Sequence, residues 1–431
     1  MPALVMLVVA LTPVRASAQE AHLAAGDTMP LTLAEVETLA LDSNPDLRGY
    51  RLEVGAAQAD ARTAALRPNP SLGLLADILQ LNHPGVHPDS GNWGATISLP
   101  LELGGKRGRR IELAEDVVSV TQLTVADSAR RVLESARLAW YDLIAARARL
   151  DIAGDVLANW QELTRLDASR FKAQQIAGVE LSRAQVAEGA AQVGYDEAAL
   201  AVRQAQEALA RLVGRRERVT VSAALEPLDS LPASLPVDSL EAMALRDRPD
   251  VLAARAALAA AVANTRLQQA NASITPLVSG DFENSQGTPL IGVSASVPLP
   301  FYNRNQGERA KATVRVEQAT RQLEAVELAV RTQVRTAQLE LVTRLAVLAR
   351  FGEGSDGIIA RARAIRETAA YAYQRGGTSL LELLDAERTW SEVTRAWVDA
   401  VTQYNRGRAV LDAAAGADAA RLIHDEQPAT R

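Results

Sequence analysis

The sequence predicts a mainly helical, duplicated chain in which each half also carries a small transmembrane β-structure. Three observations predict this fold class. The stretch "ALDSNPDLRG", which begins at Ala40, returns as "ALRDRPDVLA" at Ala244. The prolines cluster within residues 30–100 and again within residues 227–300, before two long proline-free stretches. Each proline-containing region closes with about ten residues that alternate between apolar and polar side chains, the period of a β-strand.

The proline-free stretches predict two pairs of long helices. Proline costs about 3 kcal/mol inside a helix, so its absence from residues 101–226 and 301–427 favours uninterrupted helices. Apolar residues also recur every seven positions, which is typical of helices packed side by side. The first such run is Ile111, Val118, Val125 and Val132. We therefore expect helical hairpins at about 105–213 and about 306–414, with a first helix roughly 100 Å long at 1.5 Å per residue.

The alternating segments predict four β-strands. "NWGATISLPL" and "LIGVSASVPL" place apolar residues on one face and small polar residues on the other. Counting the segments just upstream, the strands are expected at about 71–80, 91–101, 275–285 and 289–299. About ten residues suffice to cross a bilayer at a tilt, although a soluble two-hairpin sheet shows the same alternation. If the strands do span a membrane, four of them leave open edges that lipid does not tolerate, so the chain must oligomerise.

The duplicated order divides the chain into six segments. The apolar run Leu4–Leu11 followed by "ASA" predicts a signal peptide. The segments are a signal peptide (1–18), an N-terminal extension (19–30), a first repeat (31–220), a proline-containing linker (221–239), a second repeat (240–415) and a C-terminal tail (416–431). The chain has no cysteine, so disulfides, thiolate metal sites and a thioether-linked lipid anchor are not expected.

Several function classes find no support. The net charge of −6 does not favour nucleic acid binding. The chain has no Walker sequence, no nucleophile elbow and no H-E-x-x-H motif, so we expect neither an enzyme nor a cofactor. His83 and His87 lie in a proline-rich loop, where an incidental pair is favoured over a metal site. The basic residues Lys106, Arg107, Arg109 and Arg110 are interpreted as charges at a strand-to-helix junction.

The order of signal peptide, short helices, hairpin, "LPLELGGKRGRR", long helix and then a second copy resembles the TolC family of outer-membrane efflux channels. The stretch "LELGGKR" is most similar to the subgroup that serves cobalt–zinc–cadmium efflux. The resemblance implies a homotrimer with a twelve-stranded barrel in outer-membrane lipid and a long α-helical tunnel through the periplasm. It also implies a periplasmic adaptor protein and an inner-membrane pump of the RND type as partners.

The resemblance implies a passive conduit that exports substrates, with divalent heavy-metal cations as the expected cargo. Two alternatives stay open at this point. One is a drug-efflux or type I secretion conduit of the same family. The other is a structural coiled-coil or adaptor protein of the periplasm, although adaptors usually carry one helical hairpin without duplication.

The two helix reversals align at an offset of 202 residues. In this alignment Gln174 of the first turn meets Gly376 of the second, and glycine suits a helix reversal because it tolerates positive φ. The resemblance implies that the turns contact the adaptor, through Gln174, Gly178, Gly376 and Gly377.

The resemblance also implies a gate at the turns. A tyrosine on one turn and an acid on the other are expected to hold the tip shut, at Tyr373 and Glu180; the arginine of the family falls at Thr378 here. Glu382 and Asp385 lie three residues apart on one helix face. They are expected to line the tunnel as rings of carboxylates, which favour cations, while a solvated acidic face is the alternative.

Overall fold

The computed structural model describes residues 30–77, 92–226, 236–285, 287–352 and 357–425. The predicted signal peptide, most of the N-terminal extension, the loop with His83 and His87, much of the linker and the end of the tail lie outside the described residues. Within the described ranges, no helix combines the length and the apolar character that a membrane-crossing helix needs.

The described residues of the first repeat form four helices and two strands. In chain order these are α1 (Leu33–Ser43), α2 (Pro45–Ala64), β1 (Ser71–Asp77), β2 (Asn92–Pro100), α3 (Lys106–Lys172) and α4 (Gly178–Leu212). The second repeat has α5 (Val237–Asp247), α6 (Pro249–Asn271), β3 (Leu277–Ser285), β4 (Thr288–Ser296), α7 (Gln306–Ala349), α8 (Ile358–Gln374) and α9 (Leu380–Ala415). A short helix, α10 (Ala419–Asp425), follows it.

The repeated proline–aspartate pair marks the start of a helix in both halves. Asn44 caps α2, since its side-chain oxygen accepts a hydrogen bond from the Leu47 N–H at 3.0 Å, and Pro45 is the first helical residue. Pro249 opens α6 in the same way. Proline fits this position because its missing N–H has no intrahelical partner there. The echo in the sequence therefore encodes the same break between two short helices twice.

The second long helix is interrupted, which the sequence did not predict. The first repeat has one continuous helix, α3, of 67 residues. Its counterpart stops at Ala349 and resumes at Ile358 as α8. Gly352 has a φ of +72°, and the Ile358 N–H donates to the Phe351 carbonyl at 2.8 Å. Proline is absent here, so the interruption rests on a glycine in a conformation that a helix cannot contain.

The four strands form one antiparallel sheet in the order β1-β2-β3-β4. The two hairpins come from different repeats, and β2 pairs with β3 from Trp93 opposite Asn284 to Pro100 opposite Leu277. β1 and β4 are the edges of this sheet. The sheet therefore joins the repeats, and its outer edges belong to different halves of the chain.

The long helices lie side by side in a defined order. α4 packs along α3, α3 along α9, and α9 along α8, which gives the order α4-α3-α9-α8. Both hairpins reverse at the same end, because Arg170 near the end of α3 donates a hydrogen bond to the Gln374 carbonyl at the end of α8, at 2.6 Å. We call this end the tip. As in the sheet, the outermost members come from different repeats.

Ion pairs and a buried arginine hold the middle of the helical region together. Arg248 is only 1% exposed, and its guanidinium contacts the Asp250 carboxylate at 2.6 Å and the Ala414 carbonyl at 3.0 Å. Arg137 of α3 pairs with Glu37 of α1 and with Asp418 beside α10, both at 2.7 Å. These contacts tie the short helices of both repeats to the long ones.

Candidate functional site

One face of the sheet is apolar except for Asn284 near the end of β3. In the observed register Ile97 lies between Leu72 and Gly280, and Phe282 lies between Ala95 and Ile291. Side chains of alternate residues share a face, so this face collects Leu72, Leu74, Trp93, Ala95, Ile97, Leu99, Val278, Phe282, Ile291 and Val293. Its members are largely exposed, with Ile291 at 86% and Leu74 at 80%. An exposed apolar patch that crosses every strand marks a surface made for lipid or for another protein.

The opposite face of the sheet is mostly polar and carries only negative charge. Thr96 and Ser294 donate hydrogen bonds to the two oxygens of Asp281 at 2.8 and 3.0 Å. The hydroxyls of Ser98 and Ser279 lie 2.9 Å apart. Glu283 lies on the same face, and none of the four strands contains lysine or arginine. This polar face is suited to contact with water and cations, whereas the apolar face is not.

The basic residues after β2 fasten the sheet to the helices. Lys106 Nζ donates to the Ser273 carbonyl at 2.8 Å and to the Thr275 hydroxyl at 2.6 Å. Arg107 and Arg110 donate to the last carbonyls of α2, at Ala65 and Ala64, over 2.7 and 2.9 Å. Cations are favourable at the C-terminus of a helix because its carbonyls are unpaired. The "GGKRGRR" stretch thus joins α3 to the ends of α2 and α6.

The two turns at the tip have the same backbone geometry. Gln174 and Gly376 both adopt left-handed conformations, with φ of +59° and +75°. The following N–H groups, of Gln175 and Gly377, donate to carbonyls five residues back at 2.9 and 2.8 Å. This pattern closes a helix at its C-terminus. Gln174 therefore occupies a glycine position, whereas Gly178 lies beyond the turn, at the first residue of α4.

The Tyr373 hydroxyl donates to Asp167, not to Glu180. The phenol oxygen lies 2.9 and 2.8 Å from the two oxygens of the Asp167 carboxylate. Asp167 is fully buried and Tyr373 is 5% exposed. Asp167 is the acceptor because α3 carries it toward the end of α8, whereas Glu180 lies in the first turn of α4, which packs along α3. The family resemblance implied Glu180 as the acid, whereas the acceptor in this structure is Asp167, a residue of the preceding helix.

Burial dominates the electrostatics of this pair. It raises the pKa of the Tyr373 hydroxyl, and the hydrogen bond to Asp167 raises it further. Burial also raises the pKa of the Asp167 carboxyl, against the opposing effects of the hydrogen bond from Tyr373 and the charge of Arg170. The negative charge of Glu180 slightly raises the pKa of both groups, although Glu180 makes no hydrogen bond to Tyr373.

Arg170 provides a second connection between the two turns, and the sequence reasoning missed it. Its guanidinium donates to the carbonyls of Tyr373 and Gln374 at 3.3 and 2.6 Å. It also lies 5.3 Å from the centre of the Tyr373 ring and 3.8 Å from Asp167. Thr378, which the resemblance aligns with an arginine, makes no such link among the described contacts. The guanidinium that joins the two turns belongs to α3.

Glu382 and Asp385 are both exposed on α9. They line a groove between α8 and α9 together with Ile365, Ala372 and Leu381. The Ser379 hydroxyl accepts a hydrogen bond from the Glu382 N–H at 3.3 Å and caps α9. The role of Glu382 and Asp385 as tunnel-lining rings stays a prediction. Within the described ranges, no three histidine, cysteine or acidic side chains converge in a way that suits a metal ion.

Comparison with known proteins shows what the chain is similar to. Residues 37–215 match the family model described as outer membrane efflux protein. The chain is 26% identical over 394 residues to the cobalt-zinc-cadmium resistance protein CzcC of Cupriavidus metallidurans, across 89% of each chain. It is 27% identical over 318 residues to the nickel-cobalt-cadmium resistance protein NccC of Alcaligenes xylosoxydans xylosoxydans, across 73% of this chain and 70% of that one.

A solved structure of CusC has the same fold. It superposes with a TM-score of 0.74 at 20% identity, over 90% of this chain and 92% of that chain. The family resemblance expected from the duplicated order and from "LELGGKR" is confirmed, and so is the fold class at the level of one chain.

Proposed function

The chain carries an outer membrane efflux protein domain over residues 37–215, and from this premise we propose that it is the outer-membrane channel subunit of a tripartite efflux system. In this role it is a passive conduit and not an enzyme. Three copies close one barrel in outer-membrane lipid, and their long helices form a tunnel into the periplasm. A periplasmic adaptor and an inner-membrane pump of the RND type deliver the substrate to the tip.

The observation that carries the proposal is the two-faced sheet with open edges. Its apolar face is exposed across all four strands, while the outer edges of β1 and β4 have no strand partner among the described residues. An unpaired strand edge in hydrocarbon costs several kcal/mol for each group. Pairing of β4 from one copy with β1 from the next removes every edge, turns the apolar face to lipid and encloses the polar face.

The enclosed face supports a cationic cargo. Asp281 and Glu283 point into the barrel interior in this arrangement, and the strands supply no lysine or arginine to balance them. Carboxylates repeated by symmetry favour cations along a pore. The relatives named for resistance to cobalt, zinc, cadmium and nickel agree with divalent metal ions as the exported substrates.

Three measurements test the proposal. The purified protein in detergent is expected to be a trimer by light scattering, and a stable monomer would contradict the proposed barrel. Reconstituted trimers are expected to conduct cations in preference to anions, and Asp281→Asn should lower that preference. A strain that lacks the gene should lose tolerance to zinc, cobalt or cadmium. Unchanged metal tolerance together with lost drug tolerance would assign the channel to drug efflux instead.

A further inference from the structure

We propose that Arg67, Arg107 and Arg304 form a basic band that binds anionic phospholipids at the end of the sheet that joins the helices. Phosphates of the inner leaflet of the outer membrane pair with these arginines, while the acyl chains lie on the apolar face of the strands. The proposal rests on the proposed function, since it assumes that this apolar face turns to lipid. It adds the class of lipid that the channel prefers and the residues that select it.

The apolar face continues past the ends of the strands toward the helices. The Leu101 N–H donates to the Pro276 carbonyl at 2.7 Å, so the pairing of β2 with β3 extends one residue beyond β2. Leu101 follows Leu99 at the next alternate position, and both are exposed. After β4, Phe301 and Tyr302 are 69% and 94% exposed. Apolar and aromatic side chains that can contact acyl chains therefore reach the level at which the helices begin.

The two ends of the sheet carry opposite charge. The segments that enter or leave the strands at the helical end are residues 65–71, 99–110, 272–277 and 296–306. They contain six basic residues and a single acid, Glu102. The other end of the described strands carries Asp77 and Glu283, and no lysine or arginine occurs in those strands. Positive charge at the helical end alone favours a negatively charged partner at that level.

Three of the six basic residues are paired within the chain. The Arg110 guanidinium contacts both oxygens of Glu102, at 2.7 and 3.2 Å. Arg109 contacts Glu112 at 2.7 Å. Lys106 is buried and donates to two oxygen atoms of the segment before β3. These three residues hold the junction together and are not available to a lipid.

The arginines of the basic band remain available. All three are exposed, and none forms an ion pair with a carboxylate among the described residues. Arg107 and Arg304 donate through Nε to the carbonyls of Ala65 and Pro300, at 2.7 and 3.2 Å. Arg67 follows Ala65 by two residues, which places its backbone within about 7 Å of that carbonyl's residue. Each guanidinium keeps its terminal N–H groups for an external acceptor, and phosphate accepts two of them at once.

Helix stability does not account for so much positive charge at this junction. Four of the first five residues of α3, which starts at Lys106, are basic, and its first turn contains no acid. Cations are unfavourable at the start of a helix, because the unpaired N–H groups already make that end positive. The contacts with the α2 carbonyls offset part of this cost, and phosphates beside the basic band reduce it further.

A phospholipid fits these features better than a free phosphate ion does. The basic band attracts either one, but only the lipid also covers Leu101 and Phe301 with its acyl chains. Phosphatidylglycerol combines a net negative charge with such chains. Phosphatidylcholine has the same phosphate and the same chains, but its own cation balances the charge. A comparison of these two lipids therefore isolates the contribution of the basic band.

Native mass spectrometry of trimers purified in detergent tests the proposal. The trimers are mixed with equal amounts of phosphatidylglycerol and phosphatidylcholine of the same chain length. The unmodified protein is expected to retain phosphatidylglycerol about fivefold or more over phosphatidylcholine, the effect of one arginine near an anionic headgroup. Inorganic phosphate at the same concentration should not displace the lipid. Arg67→Gln/Arg107→Gln/Arg304→Gln should abolish the preference, whereas lysine at the same three positions should retain most of it.

The matched control is Arg203→Gln/Arg331→Gln/Arg361→Gln, which removes three exposed arginines of the helices and the same net charge. It should keep the preference for phosphatidylglycerol. Loss of the preference in the control would show an effect of net charge alone and overturn the basic band. Equal retention of both lipids by unmodified trimers would overturn it without any variant, and would leave the proposed channel intact. A monomer of the unmodified protein in detergent would instead overturn the channel proposal and the basic band with it.

Discussion

The hydrogen bond between Tyr373 and Asp167 is expected to keep the tip closed. It joins the end of α8 to α3 across a buried site, at 2.8 and 2.9 Å. Tyr373→Phe removes the hydroxyl and leaves the packing of the ring in place. A hydrogen bond to a charged acceptor contributes roughly 1.5–3 kcal/mol. Its loss should therefore shift the opening equilibrium of one subunit's tip by about 10- to 100-fold, since 1.4 kcal/mol is tenfold.

Conductance of reconstituted channels in planar bilayers measures this effect. Tyr373→Phe and Asp167→Asn should both raise the time-averaged conductance, and the double variant should add little because each change breaks the same bond. Glu180→Gln is the matched control, because it removes a nearby carboxylate that accepts no hydrogen bond from Tyr373. Increased conductance in Glu180→Gln with unchanged conductance in Asp167→Asn would refute the assignment of the acceptor, and unchanged conductance in all variants would refute the gate.

Three further outcomes follow from contacts elsewhere. Gln174→Gly should raise the free energy of unfolding by up to about 1 kcal/mol, and Gly376→Gln should lower it by about 1–2 kcal/mol, in urea titrations, because a side chain disfavours the left-handed conformation. Burial holds the folded-state pKa of Asp167 above its unfolded value of 3.8. The folded tip therefore binds that proton more tightly, and its stability should fall as pH rises from below 3.8 through the raised pKa and stay constant above it. Hydrogen exchange at the tip checks this, and Asp167→Asn should abolish the slope. Arg248→Met should cost about 1–3 kcal/mol by leaving half-buried Asp250 without its guanidinium partner. Arg248→Met/Asp250→Leu should recover most of it; an equal loss in both variants would contradict the pairing argument.

The helices and strands were accessible from the sequence because their signals are local. Proline placement and seven-residue spacing predicted the long helices, and strict alternation in "NWGATISLPL" predicted β2. The interruption between α7 and α8 was missed because a single glycine, Gly352, replaces the usual proline signal. Its effect depends on a close approach to Gly357, where a Cβ on Gly352 would come 3.1 Å from the Gly357 Cα.

The tip was predicted only in part, because the turn alignment relates the repeats and not the contacts between helices. The alignment predicted the equivalence of Gln174 with Gly376, which share a left-handed conformation, while Tyr373 was implied by the family resemblance. It could not identify Asp167, which lies about two helical turns before Gln174. A usable signal was present: Asp167 continues the buried seam of Trp160 and Leu163 at helical spacing. An acid at an apolar seam position requires a buried partner. Arg170 lies three residues after Asp167 on the same helix, so the same pattern also points to Arg170.

The open sheet edges have a consequence for genetics. In the proposed trimer, the ring closes only when both sheet edges of every copy can pair, so one defective copy prevents closure of the whole assembly. Suppose that a cell makes equal amounts of normal chain and of a variant that still joins at β1 but cannot pair at β4. Random mixing then leaves about one eighth of the three-membered rings fully normal. Such alleles should be dominant negative. A variant that can pair at neither β1 nor β4 does not enter the assembly and should be recessive.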